Sequence, residues 1–160
     1  MKTTAVYAGS FDPVTYGHID VIKQSINMFD EVYVLIASNP DKKYMFTESE
    51  RYNMLALWRN INGYAHIVNV FVTERLVVDF ASDFDHPVLV RGVRNMTDMI
   101  AEMSLADVNQ EVGGIKTIFI PTSNENRNFS SSLVKELWKY GKDISKYVPL
   151  HVSEAMADKR

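Results

Sequence analysis

Apolar residues fall in two alternating patterns along the chain. Short dense runs recur at Thr3–Ala8, Glu31–Ala37, His66–Val72, Pro87–Val90 and Ile115–Pro121. Runs such as VYVLIA and IKTIFI are rich in β-branched and aromatic residues with little apolar–polar alternation, as strands buried on both faces require. Between the runs the spacing turns helical. Ile19, Ile22, Ile26 and Phe29 return at near-helical intervals, and Thr47-Glu48-Ser49-Glu50 has the form of a capping box opening a helix through RYNMLALWRNI. Further helices are predicted over Leu76–Phe84, Met96–Gln110, Ser130–Tyr140 and Ser145–Ala157, with the Gly113-Gly114 pair marking a helix end.

Parallel neighbours in a sheet need long crossovers, so strand–helix alternation from end to end predicts an α/β fold. The expectation is one Rossmann-like doubly wound domain over residues 1–160, with a five-stranded parallel sheet flanked by helices. No repeat, low-complexity tract or linker divides it. A chain of 160 residues is long enough to bury roughly 70% of its unfolded surface.

Composition narrows the chemistry. Cysteine is absent, which removes thiolate nucleophiles, cysteine zinc sites and disulfides, and fits a reducing compartment. No signal-peptide pattern and no apolar stretch of about 20 residues is present, so a soluble, cytoplasmic protein is expected, without a membrane partner. Seventeen basic against twenty acidic residues leave a net charge of −3, which argues against a general nucleic-acid binder. Local positive charge at Lys42, Lys43, Arg91, Arg94 and Arg127 points instead to a small anion.

In open α/β sheets, ligands bind beyond the carboxyl ends of the strands. The first predicted strand is followed by GSFDPVTYGH, the second by SNPDKKYMF, the fourth by RGVR and the fifth by PTSNENRNFSSS. Each has a bland explanation. Gly9-Ser10 could be turn chemistry, Lys42-Lys43 a solvated loop, and His18 a surface residue in a first helical turn. A single serine would suffice to cap the helix that Ser130-Ser131-Ser132 opens. Together, at one sheet edge, they make a phosphate-binding inventory. A neutral His18 could donate to a phosphate oxygen, Gly17 would let a phosphate approach the backbone, and the arginines suit bidentate phosphate contact. Neither G-x-G-x-x-G after the first strand nor a P-loop occurs. His66, His86 and His151 lack metal-ligand spacing, and Glu50, Asp79 and Asp98 read as solvated helix faces.

The segment GSFDPVTYGH resembles the [ST]-F-D-P-x-[ST]-x-G-H signature of the nucleotidylyltransferase superfamily, and SSSLVKE its serine-rich second motif. Within that superfamily the chain is similar to the bacterial phosphopantetheine adenylyltransferases, through NPDKKYMFTESER, VLVRGVRNMTD and GKDISKYVP as well. The resemblance implies transfer of the AMP moiety of ATP to 4′-phosphopantetheine, giving dephospho-coenzyme A and pyrophosphate by direct in-line attack.

By the same resemblance, Ser10 would meet the attacking phosphate, and Ser10 and Phe11 would touch ATP. His18 would contact the α-phosphate, Lys42 would orient the phosphates of both substrates, and Arg91 would hold the acceptor phosphate. Gly92, Val93 and Arg94 would line the nucleotide site, and Glu102 would lie near the ribose. Asn126, Arg127, Asn128, Phe129, Ser130, Ser131 and Ser132 would face the adenine and outer phosphates, and Val77 would line the pantetheine channel. Magnesium is expected to travel with ATP rather than in a protein-made cage, and the family suggests a homohexamer.

The chain departs from the family pattern at Ala101, where a tyrosine is usual, at Gln110, where an arginine is usual, and in the NENRN loop, which often carries an aromatic residue. Those changes touch substrate-body contacts and leave the phosphate-handling residues in place. Three other readings stand beside this one: a nucleotidylyltransferase with another acceptor such as nicotinamide mononucleotide, a non-catalytic nucleotide or coenzyme A binding module, and a ligand-free scaffold.

Overall fold

A computed structural model describes all 160 residues. Five strands, β1 (Thr4–Gly9), β2 (Glu31–Ala37), β3 (Val68–Thr73), β4 (Pro87–Val93) and β5 (Thr117–Pro121), form one parallel sheet in the order β3-β2-β1-β4-β5. Its helices are α1 (Tyr16–Ile26), α2 (Glu48–Ile61), α3 (Val77–Ala81), α4 (Met96–Gly113), α5 (Ser131–Lys139) and α6 (Leu150–Ala157). The α/β class and the strand count agree with the sequence pattern.

Strand β1 lies at the centre because its side chains are buried on both faces. Ala5 and Tyr7 join one core with β2, β3, α1, α2, α5 and α6, while Val6 and Ala8 join a second core with Leu35, Leu89, Val78, Ala81 and Ile115. The first core is the larger. On the second face α4 lies over the sheet without a single fully buried residue.

The order of the strands reverses at β1. From its carboxyl end the chain passes to β2 on one side, and later returns to β4 on the other, with Thr4–Tyr7 in register with Pro87–Val90. Loops leaving β1 and β4 therefore diverge and open a crevice between them.

Several boundaries differ from the sequence pattern, and two of the shifts are informative. Strand β4 runs three residues beyond Val90, so Arg91, Gly92 and Val93 belong to the strand and pair with β5 instead of forming a loop. The last helix starts at Leu150, not Ser145. Pro149 disfavours the helical conformation at Val148, so residues 144–149 make turns and the helix begins after the proline.

Candidate active site

The crevice between β1 and β4 holds a cavity of about 300 Å³. Its floor is the end of β1 with Ser10 and the end of β4 with Arg91 and Gly92. Its walls come from Gly17, His18 and Val21 of α1, Arg94, Asp98 and Glu102 at and within α4, Thr122, and Phe129 to Ser132. Helix α1 sits close because Gly92 has no side chain; a Cβ there would lie 2.7 Å from Val21 Cγ2.

His18 is built into the start of α1. Thr15 is the N-cap, and His18 takes the place of the usual Glu or Gln of a capping box. The Thr15 backbone N–H donates to His18 Nδ1 at 3.0 Å, so the neutral ring carries its proton on Nε2. Burial lowers the imidazole pKa to about 4, aided by the Arg94 and Arg91 guanidinium groups. The ring also meets Phe11 edge-on at 5.0 Å. The result is a neutral, oriented N–H donor on the cavity wall.

Gly17 serves a purpose that its sequence position does not disclose. A Cβ there would lie 2.7 Å from the Phe129 carbonyl oxygen. The missing side chain admits the 122–130 loop, and Gly17 itself stays on the cavity wall. That loop is tied down at several points: Thr15 Oγ1 donates to the Phe129 carbonyl at 2.7 Å, Ser131 Oγ to the Pro13 carbonyl at 2.8 Å, and Ser123 N–H to Asp20 at 2.8 Å. Ser130 caps α5 by accepting from Leu133 N–H, leaving the amides of Ser131 and Ser132 at the helix start without intrahelical partners.

The two arginines are held by carboxylates. Arg91 donates from Nε and Nη2 to the two oxygens of Glu102 at 2.7 and 2.9 Å, and from Nη1 to the Ala8 carbonyl at 2.6 Å. Burial works against its charge, but the hydrogen bonds and attraction to Glu102 more than offset that, and its pKa is raised. Arg94 pairs with Asp98 at 3.0 Å. Asp98 is therefore a wall of the cavity and not the solvated residue its helix position suggests.

A second cavity, of about 290 Å³, adjoins the first and is mostly apolar. Leu76, Val77, Val78, Leu105 and Val112 line it, and it shares Ala8 and Arg91 with the polar one. Thr117 Oγ1, on its wall, is buried without a hydrogen-bond partner.

Of the residues singled out from sequence, Ser10, His18, Arg91, Gly92, Arg94, Glu102, Phe129, Ser130, Ser131 and Ser132 meet in the polar cavity. Val77 lies in the apolar one. Phe11 is a core residue behind His18, and Val93, Asn126, Arg127 and Asn128 do not line the cavity. Lys42 is exposed on the loop after β2, in a shallow depression that shares no lining residue with the cavity. Thr15 was missed as the residue that orients His18; its place three residues before the histidine, with N-cap chemistry, is the signal that would have found it.

The fold and this site define a nucleotidyltransferase, and residues 6–137 match the cytidylyltransferase-like family. A phosphopantetheine adenylyltransferase of Synechococcus elongatus is 38% identical over 157 residues, covering 96% of this chain and 92% of its own. That of Bifidobacterium animalis subsp. lactis is 41% identical over 150 residues, 94% of each chain. The chain belongs to the phosphopantetheine adenylyltransferase family. Among solved structures, the bifunctional NMN adenylyltransferase/ADP ribose pyrophosphatase of Francisella tularensis shares the fold with a TM-score of 0.76 at 14% identity, over 99% of this chain and 49% of that one.

Proposed function

We propose that the protein transfers the AMP moiety of ATP to 4′-phosphopantetheine, giving dephospho-coenzyme A and pyrophosphate. The observation that carries the acceptor is Arg91, which stands where the polar and apolar cavities meet. Such a junction suits a phosphate joined to a long, largely apolar arm. The unpartnered Thr117 hydroxyl and Asn109 in the apolar cavity can meet the amides of that arm. Nicotinamide mononucleotide has no use for such a slot.

An oxygen of the acceptor phosphate attacks the α-phosphorus of ATP in line, the bond to the β-phosphate oxygen breaks, and pyrophosphate leaves. No protein nucleophile is needed, because such transfers ask for positioning and charge stabilisation. Ser10 and Arg91 hold the acceptor phosphate. His18 donates its Nε2 proton as a hydrogen bond to the α-phosphate, where charge builds up. Arg94 and the free amides of Ser131 and Ser132 receive the outer phosphates, Glu102 and Phe129 frame the nucleoside, and Lys42 reaches over the phosphates from the loop after β2.

Magnesium enters as part of the ATP substrate. The side chains offer no cluster of three His, Cys, Asp or Glu residues for a resident ion, and Asp98 and Glu102 are engaged by arginines. We place the protein in the cytoplasm, where both substrates are made available in solution; no helix is long and apolar enough to cross a membrane. We also assign it a homo-oligomer, a hexamer by family likeness. Helix α4 supports this, with Met96, Ile100, Met103, Leu105, Val108 and Val112 all more than half exposed.

Pyrophosphate release from ATP tests the acceptor, with 4′-phosphopantetheine, nicotinamide mononucleotide and glycerol 3-phosphate as a panel. Turnover is expected with the first alone. Silence with the first and turnover with another would overturn the reading.

A further inference from the structure

Arg51 lies one turn into α2, 1% exposed, and forms no ion pair. A buried guanidinium without a carboxylate is costly unless every donor is used. Here the donors go to three separate segments. Nη1 donates to the Ser10 carbonyl at 2.8 Å, Nη2 to Ser38 Oγ at 2.9 Å, and Nε to the Thr47 carbonyl at 3.3 Å. The Tyr44 ring covers the guanidinium at 4.3 Å, and its hydroxyl accepts from Asn39 N–H at 2.7 Å.

These partners bracket Lys42. Ser38 and Asn39 precede it, Tyr44 and Thr47 follow it, and its own amide closes a turn on the Asn39 carbonyl at 3.0 Å. The far foot of the loop is held again by Asp12, which accepts from the Met45 and Phe46 amides at 2.9 Å each. Between the feet, residues 39–43 are exposed. The other end of the Arg51 fork rests on Ser10, whose turn carries Phe11 and, through it, the His18 ring.

We infer that Arg51 is a positioning residue that sets the Lys42 loop in register with the Ser10 turn. It touches none of the reacting atoms; anchored on the Ser10 carbonyl, it acts through Lys42. Only a planar fork can serve three acceptors and an aromatic face at once, so the shorter geometry of lysine cannot replace it. The inference rests on the adenylyl-transfer reading for its kinetic consequences, but its structural consequence does not.

The test compares wild type, K42A, R51M and the double variant, each assayed well below its melting temperature by pyrophosphate release. With Lys42 present, R51M should lower kcat about 30-fold and leave the ATP KM within about threefold, since small misplacement of a phosphate-orienting group is costly. In the K42A background the same change should cost less than about threefold, because the two residues act as a unit. R51K should resemble R51M. Equal losses in both backgrounds, or full activity in R51K, would overturn the inference. If R51M does not fold, Ser38→Ala and Tyr44→Leu remove partners of the same guanidinium from outside α2. They must show the same dependence on Lys42, and additivity there would overturn it too. The second readout is amide hydrogen exchange at Lys42, expected to be about tenfold faster in R51K and unchanged in His18→Ala. An inactive wild type would defeat the substrate reading and leave this exchange measurement to decide; an unchanged rate in R51K would refute the role of Arg51.

Discussion

His18 should stay neutral well below the pH at which histidines ordinarily take up a proton. Its pKa falls from 6.5 to about 4, through burial and then the repulsion of Arg94 and Arg91. The unfolded chain protonates near 6.5, so a folded-state value below that favours the neutral, folded form. The stabilisation is complete above pH 6.5 and is lost progressively as the pH falls through about 4. At about 1.36 kcal/mol for each pH unit, the full effect is about 3 kcal/mol, of which about 2 should be gone by pH 5. His18→Gln isolates it. Glutamine is a standard capping-box residue at this position and can still accept from the Thr15 N–H, but it does not titrate. Urea unfolding of both proteins between about pH 4 and 8 should give nearly parallel curves at the alkaline end. Below pH 6.5 the wild type should lose about 2 kcal/mol more than His18→Gln, with the carboxylates common to both cancelling. Equal losses, or an imidazole signal titrating near 6.5 by NMR in the folded protein, would refute the reasoning.

Two further outcomes follow from the same turn. His18→Ala should lower kcat by about 100- to 1000-fold, the equivalent of about 3–4 kcal/mol for one preorganised donor, with a much smaller rise in KM, and near-normal turnover would contradict the donor role. Gly17→Ala should push the Phe129 carbonyl away from Thr15, because the new Cβ would lie 2.7 Å from it, and so raise the ATP KM by about tenfold or more while the protein still folds; unchanged ATP binding by calorimetry would show that the loop does not depend on that glycine.

Much of the architecture is legible along the chain because the forces that make it are local or periodic. A strand covered on both faces must be apolar throughout, and a crossover helix must show one apolar stripe, so VYVLIA and Ile19-Ile22-Ile26 announce their states. The Thr47–Glu50 capping box is a contact between neighbours, and it forms as its residues suggest. Helix ends set by a proline are less visible, since Pro149 acts on the residue before it and a periodic pattern runs on regardless.

That the turn after β1, with its glycine, proline and histidine, would line a cavity at the sheet edge was readable from chain chemistry and from the rule that loops after parallel strands collect ligands. So were the arginines ending β4 and the serines opening α5. What the chain could not disclose are relations through space. Arg91 and Glu102 sit 11 residues apart on different elements and meet only because α4 folds back across β4. Gly17 answers to the Phe129 carbonyl and Arg51 to Ser10 and Ser38, each pairing made by the packing of elements rather than by spacing along one of them. The state of His18 belongs to the same class. Its position came from sequence, but its tautomer and depressed pKa depend on a backbone N–H, on enclosure and on two guanidinium groups that only the assembled sheet brings within reach. Residue types and their order determined which groups would gather at the sheet edge; the tertiary structure decided which of them face the cavity, which brace them, and in what charge state they wait.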